Sequence, residues 1–169
     1  VWNGFFDDGS LAPDGTYFYQ FTATDDNGNS ATTDKYVVIV DNTAPEISLK
    51  ELSGNEKNFG EGSKSILKIK QSGSLENLWL GRISDIDGKV IKTFKWENAE
   101  PLSFSWDGQD ENNVQVPDGV YNYEITSTDF AGNTSEKAQI LNIIYSTEKP
   151  EISIAISGSK YFSPKGNSP

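Results

Sequence analysis

An internal repeat limits what this chain can become more than any other feature. Trp2-Asn3-Gly4 is answered by Trp106-Asp107-Gly108, Pro13-Asp14-Gly15 by Pro117-Asp118-Gly119, and Tyr17 and Tyr19 by Tyr121 and Tyr123. Thr22, Thr24 and Asp25 are answered by Thr126, Thr128 and Asp129, and Gly28-Asn29 by Gly132-Asn133, all at a spacing of 104 residues without a gap. After one inserted residue the match resumes, with Pro45-Glu46-Ile47-Ser48 against Pro150-Glu151-Ile152-Ser153. Gap-free agreement of unlike residue types marks a duplicated unit, and its period suits a domain of about 100 residues. The repeat sets the phase of the chain. Residues 1–45 are expected to be the second half of one module, residues 46–150 a complete module, and residues 151–169 the opening of a third. There is no Met and position 1 is Val, so the chain is expected to be part of a longer polypeptide cut within modules at both ends.

The complete module reads as strands throughout. Short runs of aromatic and β-branched residues alternate with Gly, Asn, Asp and Pro, and no stretch sustains a 3.6-residue apolar period. Seven strands are predicted, at 46–50, 65–71, 78–84, 90–96, 102–106, 120–128 and 139–145. Asp87-Gly88 marks a tight turn between the third and fourth, because such turns need positive φ. In the second, Leu67 and Ile69 share one face and Lys68 and Lys70 the other. In the sixth, Tyr121, Tyr123 and Ile125 alternate with Asn122, Glu124 and Thr126, so one face is expected to be buried and the other wet. The same rule predicts a buried face of Tyr17, Tyr19 and Phe21 in the first copy. The seventh strand, with Ile140, Leu141, Ile143 and Ile144, is apolar on both sides, which implies a central strand or one covered by a neighbouring module. Seven short strands without Cys point to an all-β, two-sheet sandwich. Residues 1–45 would lack their module's first strands and expose an unpaired edge. They are expected to pack on the complete module, pair with another chain, or be poorly ordered.

Composition removes several function classes. The formal net charge is -11, from 25 acidic and 14 basic residues. This argues against nucleic-acid binding, which draws on clustered Lys and Arg, and against docking on an anionic leaflet; its ordinary role is solubility. The chain has no Cys and no His. Disulfides and thiolate metal sites are therefore excluded, and the commonest general base is missing. No apolar run approaches the length of a membrane span. No nucleophile elbow or facing pair of carboxylates is marked, so the chain is expected not to be an enzyme.

Two groups of residues could still carry recognition. Asp and Asn cluster at 7–8, 107–113 and 129–133. Oxygen-rich loops can hold calcium, with Asp107, Asp110 and Asp129 the first candidates. The spacing does not fit the D-x-[DN]-x-[DN]-G loop, however, and Asp and Asn also cap turns. Apart from calcium, no cofactor is expected. Trp79 and Trp96, with Phe94, lie on the third and fourth strands and could form a planar strip for sugar rings; core packing is the competing reading. Trp106 is expected to anchor the core or its edge.

The run from Trp106 to Tyr121, W-D-G-Q-D-E-N-N-V-Q-V-P-D-G-V-Y, resembles the immunoglobulin-like module first described in the bacterial flagellar hook-capping protein. That family reads W-D-G-x-D-x-x-G-x-x-V-x-x-G-x-Y, preceded by G-x-V-I, which Gly88-Lys89-Val90-Ile91 matches. Asn113 stands where the family has Gly, and Phe5-Phe6 replaces a polar pair in the first copy. Asp118 to Tyr123 also resembles the tyrosine corner of immunoglobulin domains, with Tyr123 where those domains carry their second Cys. Tyr161 to Asn167 resembles the F-S-P-N-G-D-G loop that opens such modules. The resemblance implies immunoglobulin-like or fibronectin-III-like β-sandwich modules in tandem, of bacterial origin. It implies use as spacers in extracellular, cell-surface or periplasmic proteins, with neighbouring modules of the same chain as partners. A module that binds carbohydrate or a host protein is the alternative. A hook-cap scaffold is disfavoured, because the cap protein is expected to carry a single such module. Each junction, at 41–45 and 146–150, ends in Pro and is expected to be short and semi-rigid.

Overall fold

The computed structural model describes residues 2–155. Every regular element is a strand or a single 3-10 turn. Residues 2–45 hold β1 (Gly15–Tyr19), β2 (Thr22–Thr24), β3 (Ser30–Thr32) and β4 (Tyr36–Val40). β1 pairs antiparallel with β4, and β2 with β3. The remainder adds β5 (Ile47–Leu49), β6 (Asn58–Gly60), β7 (Leu67–Ile69), β8 (Gln71–Gly73), β9 (Glu76–Asp85), β10 (Val90–Ala99), β11 (Phe104–Trp106), β12 (Gly119–Ser127) and β13 (Ala138–Ser146).

The expected sandwich is present in residues 46–150. One layer is a five-stranded sheet in the order β10-β9-β12-β13-β6, antiparallel except for the parallel pair of β13 and β6. The other is built on one extended stretch, in which β7 takes β11 as partner and β8 takes β5. Side chains at alternate positions of β7, β9, β12 and β13 meet between the layers. Trp79, Ile69, Ile83, Tyr123, Ile125 and Ile143 are fully buried there. Lys68 is exposed between buried Leu67 and Ile69, as the period-two pattern predicts.

Each of the seven predicted strands has a counterpart with shifted bounds, the second is divided into β7 and β8, and β6 is an addition. It is three residues long, too short to show a period. It is held by its parallel ladder with β13, at so close an approach that a Cβ on Gly60 would lie 1.6 Å from the Ser146 carbonyl oxygen. The seventh predicted strand is flanked by β12 and β6, so it lies inside the sheet. Its doubly apolar pattern has a local cause. Tyr121 opposes Ile143, yet Tyr123 opposes Ile140, so β13 carries one extra residue. That bulge sits at Asn142, at φ 60°, whose N–H donates to the Asn122 side chain at 3.0 Å. The bulge interrupts the alternation, and Leu141 and Ile144 both end on the exposed side. No neighbouring segment among the described residues covers them.

Residues 2–45 correct the sequence reading. Tyr17, Tyr19 and Phe21 were expected on a buried face, but Tyr19 is 48% and Phe21 68% exposed. Their counterparts Tyr123 and Ile125 are at 0%. The alternation is intact, but no second layer covers it. Trp2, Phe6, Tyr17, Phe18, Tyr19, Phe21 and Val38 instead line an open concavity of about 630 Å³. The segment forms two nested antiparallel pairs, β1 with β4 around β2 with β3, with a bare apolar face. The loop resemblance at Tyr161–Asn167 lies outside the described residues.

Candidate functional site

The corner between β11 and β12 is closed by several hydrogen bonds. Trp106 is 1% exposed, and its indole N–H donates to the Gln109 carbonyl at 2.9 Å. The Tyr121 hydroxyl donates to the Pro117 carbonyl at 2.6 Å, closing the tyrosine corner. Burial, followed by the Asp85 and Asp118 charges, raises the Tyr121 pKa, so the donor stays protonated. Tyr123 sends its hydroxyl across the sandwich to the Gln71 side-chain oxygen at 2.7 Å. Immunoglobulin domains tie these two layers with a disulfide; here a buried hydrogen bond takes the place, and burial pushes the Tyr123 hydroxyl well above its ordinary pKa.

The same corner recurs in residues 2–45. The Trp2 indole donates to the Phe5 carbonyl at 2.7 Å, and the Tyr17 hydroxyl to the Pro13 carbonyl at 2.9 Å. Asp25 accepts from Asn29 as Asp129 accepts from Asn133, through main chain and side chain alike. The recurrence extends to the junctions. Asp14 accepts the Asn42 N–H at 2.6 Å and its side-chain amide at 2.8 Å, and also the Thr43 hydroxyl. Asp118 accepts the Thr147 N–H at 2.8 Å, its hydroxyl at 2.9 Å and the Ser146 hydroxyl at 3.3 Å. Each Pro-Asp-Gly corner therefore clasps the chain where it leaves the module. Sequence reasoning placed these aspartates in the repeated Pro-Asp-Gly motif and gave them no partner. The available signal was that Asp14 and Asp118 each precede, by 28–29 residues, a stretch of hydroxyl and amide side chains.

These clasps titrate. The Thr43 hydroxyl, then the Asn42 main chain and side chain, hold Asp14 below its usual carboxylate range. The Thr147 N–H does the same for Asp118, outweighing an opposing effect of burial. A carboxyl whose folded pKa is depressed stabilises the fold above its unfolded pKa and loses that effect as pH falls through the folded value. Asp118→Asn is therefore expected to lower the melting temperature at neutral pH. The gap to the parent should close as pH drops below the usual carboxylate range; calorimetry across pH checks this.

The calcium candidates are not brought together. The Asp107 carboxylate accepts the Gln109 N–H, Asp110 accepts the N–H groups of Asn112 and Val114, and Asp129 is held by Asn133. Each caps its own loop. Among the described residues no group of three or more His, Cys, Asp or Glu side chains is placed to hold a metal ion. Excess calcium is expected to leave the melting temperature unchanged, since a ligand of the native state alone would raise it.

The aromatic strip needs correction. Trp79 is 0% exposed and its indole donates to the Ser74 carbonyl at 3.0 Å, so it is core and offers no face to a sugar. Residue 79 faces into the sandwich because the alternation of β9 places it with Gly81 and Ile83. Trp96 and Phe94 are half-buried and pack with Phe104, which the sequence reading left out of the group. The Phe94 and Phe104 ring centroids are 4.1 Å apart.

Residues 54–130, from the turn before β6 through the corner to the end of the β12 loop, match the family model of the FlgD Ig-like domain. That module is a FlgD Ig-like domain. Its W-D-G and P-D-G motifs are the two ends of the corner described above. Beyond the FlgD Ig-like domain itself, the chain is 27% identical over 137 residues to Bacillopeptidase F of Bacillus subtilis (strain 168), covering 81% of this chain and 8% of that protein. Among solved structures, dimeric latent PorU from Porphyromonas gingivalis matches at 15% identity and a TM-score of 0.41, over 83% of this chain and 13% of that one. The fibronectin(III)-like modules of CbhA from Clostridium thermocellum match at 15% identity and a TM-score of 0.43, over 87% and 70%. The chain thus spans a small part of the length of Bacillopeptidase F and of PorU. No helix among the described residues is long and apolar enough to cross a membrane.

Proposed function

We propose that this chain is a non-catalytic structural spacer, a stretch of immunoglobulin-like repeats in a large bacterial surface or secreted protein. The observation that carries this reading is the paired clasp. Asp14 and Asp118 each fasten the segment leaving a corner, at places that correspond in the repeat. A device that fixes the exit of each module is what a spacer needs and what an isolated binding domain does not. Asn133 supports the same reading from the far side of the junction, its side chain donating to the Asp41 carbonyl at 2.9 Å. The module boundaries at 45 and 150 follow from the same recurrence, with residues 1–45 as a second half-module and residues 151–169 as the opening of a third. The similarity to 8% of Bacillopeptidase F fits a module carried within a much larger protein, and an exported location goes with it.

Small-angle scattering from a protein of two or more complete repeats tests the proposal. The expected distance distribution is that of a stiff rod, and Asp→Ala substitutions at the clasps should broaden it. A compact globule, or a clasp variant indistinguishable from the parent, would contradict it. A glycan screen with the same protein is expected to return no binding, since the tryptophan that would have led such a platform is in the core.

A further inference from the structure

β10 ends one side of the five-stranded sheet and pairs only with β9. In an antiparallel ladder, successive residues aim their N–H and C=O alternately toward the partner strand and away from it. Thr93 fixes the phase, because its N–H points off the edge and donates to the Glu111 carboxylate at 2.5 Å. Two residues earlier, the Ile91 carbonyl accepts the Glu111 N–H at 3.3 Å. The loop at Asp110–Glu111 therefore seals the first half of this edge. Lys95 and Glu97 come next in the same phase. Among the described residues, their outward main-chain groups have no hydrogen-bond partner.

Proteins ordinarily guard such an edge with charge, lysine above all. Here the guard is self-cancelling. Let a second β10 lie antiparallel to the first, with Trp96 opposite Trp96. Lys95 then falls opposite Glu97 of the second copy, and Glu97 opposite its Lys95. All four side chains lie on the exposed outer face, where Lys95 and Glu97 already stand. The phase is also correct, since residues 95 and 97 both aim outward and can exchange both main-chain hydrogen bonds. The two neighbouring registers of the same phase fail. One sets Lys95 against Lys95 and the other Glu97 against Glu97, and like charges directly opposed destabilise a strand pair. On the inner face the pairing brings the half-buried seam of Phe94, Trp96 and Phe104 against its own copy across the axis. The two Asp110–Glu111 loops would flank the paired stretch.

We propose that β10 is a self-association edge. Two copies of the chain would join here about a two-fold axis at Trp96, making one ten-stranded sheet from two five-stranded ones. Sedimentation velocity of the whole chain over a wide concentration range tests this. The parent is expected to dimerise reversibly. Lys95→Glu should weaken the dimer by about tenfold or more, since two attractive pairs become two repulsive ones. Lys95→Glu combined with Glu97→Lys should restore it. Both positions are exposed, and a thermal melt checks that each variant folds. A parent that stays monomeric at the highest concentration overturns the proposal, as does a double variant that fails to recover. Association indifferent to Lys95→Glu overturns it too, and would assign self-contact to the bare face of Tyr19 and Phe21.

Discussion

Trp79→Ala is expected to unfold the module outright or leave it barely folded. The side chain is fully buried and spends its only donor on the Ser74 carbonyl. Its ring is part of the core cluster of Ile83, Ile125 and Tyr123 between the two layers. Truncating a buried Trp to Ala costs about 3–5 kcal/mol, from lost transfer energy and the cavity left behind. Domains of this size are stable by only about 5–15 kcal/mol, so the loss removes a large share of the whole. Trp96→Ala, at a half-buried site, should cost less and leave the fold in place. Urea unfolding followed by circular dichroism separates the two. A Trp79→Ala protein with near-parental stability would remove the core assignment and reopen the question of a platform on this strand.

The second large effect is expected at Gly108. This residue sits at φ +78°, and a Cβ added there would lie 2.6 Å from the Tyr145 ring. Two costs therefore add in Gly108→Ala. The left-handed backbone costs an L-residue about 1–2 kcal/mol, and overpacking a filled core costs about 1–3 kcal/mol. The sum of about 2–5 kcal/mol should appear as a lowered urea midpoint. Gly132 is the built-in control. It has φ +93°, but nothing lies within 4 Å of an added Cβ. Gly132→Ala should therefore show the backbone cost alone. Equal losses at the two positions would mean that the Tyr145 contact is not what demands glycine in the W-D-G motif.

Most of the sandwich was legible in the residues because it rests on local patterns. Alternation of large apolar side chains in 121–125 and 67–69 fixes a buried face wherever a second layer exists. Turn chemistry at Asp87-Gly88 needs only the chain itself. The resemblance carried over the tyrosine corner, and the structure places Tyr121 there. Two kinds of information were out of reach. The first is non-local closure. β6 exists through a contact with Ser146, and Gln71 meets Tyr123 across the sandwich. Neither contact leaves a period in the sequence. The second is occupancy. Period-two alternation predicts which face is apolar but not whether anything covers it, hence the error over Tyr19 and Phe21. Trp79 and Trp96 show the same limit at one site. Both lie on strands and both are aromatic, yet only the sheet order places one on an interior strand and the other on the edge strand. Asp107, Asp110 and Asp129 fit turn capping better than calcium in the sequence, and in the structure each carboxylate is turned onto its own loop.

The parallel pairing of β6 with β13 has a mechanical consequence. Tension along an extended chain would draw β6 toward the N-terminal end of the module and β13 toward the C-terminal end. The strands run the same way, so this force acts lengthwise through their shared ladder, from Ile144 and Asn58 to Ser146 and Gly60. A hairpin pulled at its open end parts one rung at a time. This pair must slide, with every rung strained together. The strand with the least sequence signature is thus a catch that a pulled module would have to break.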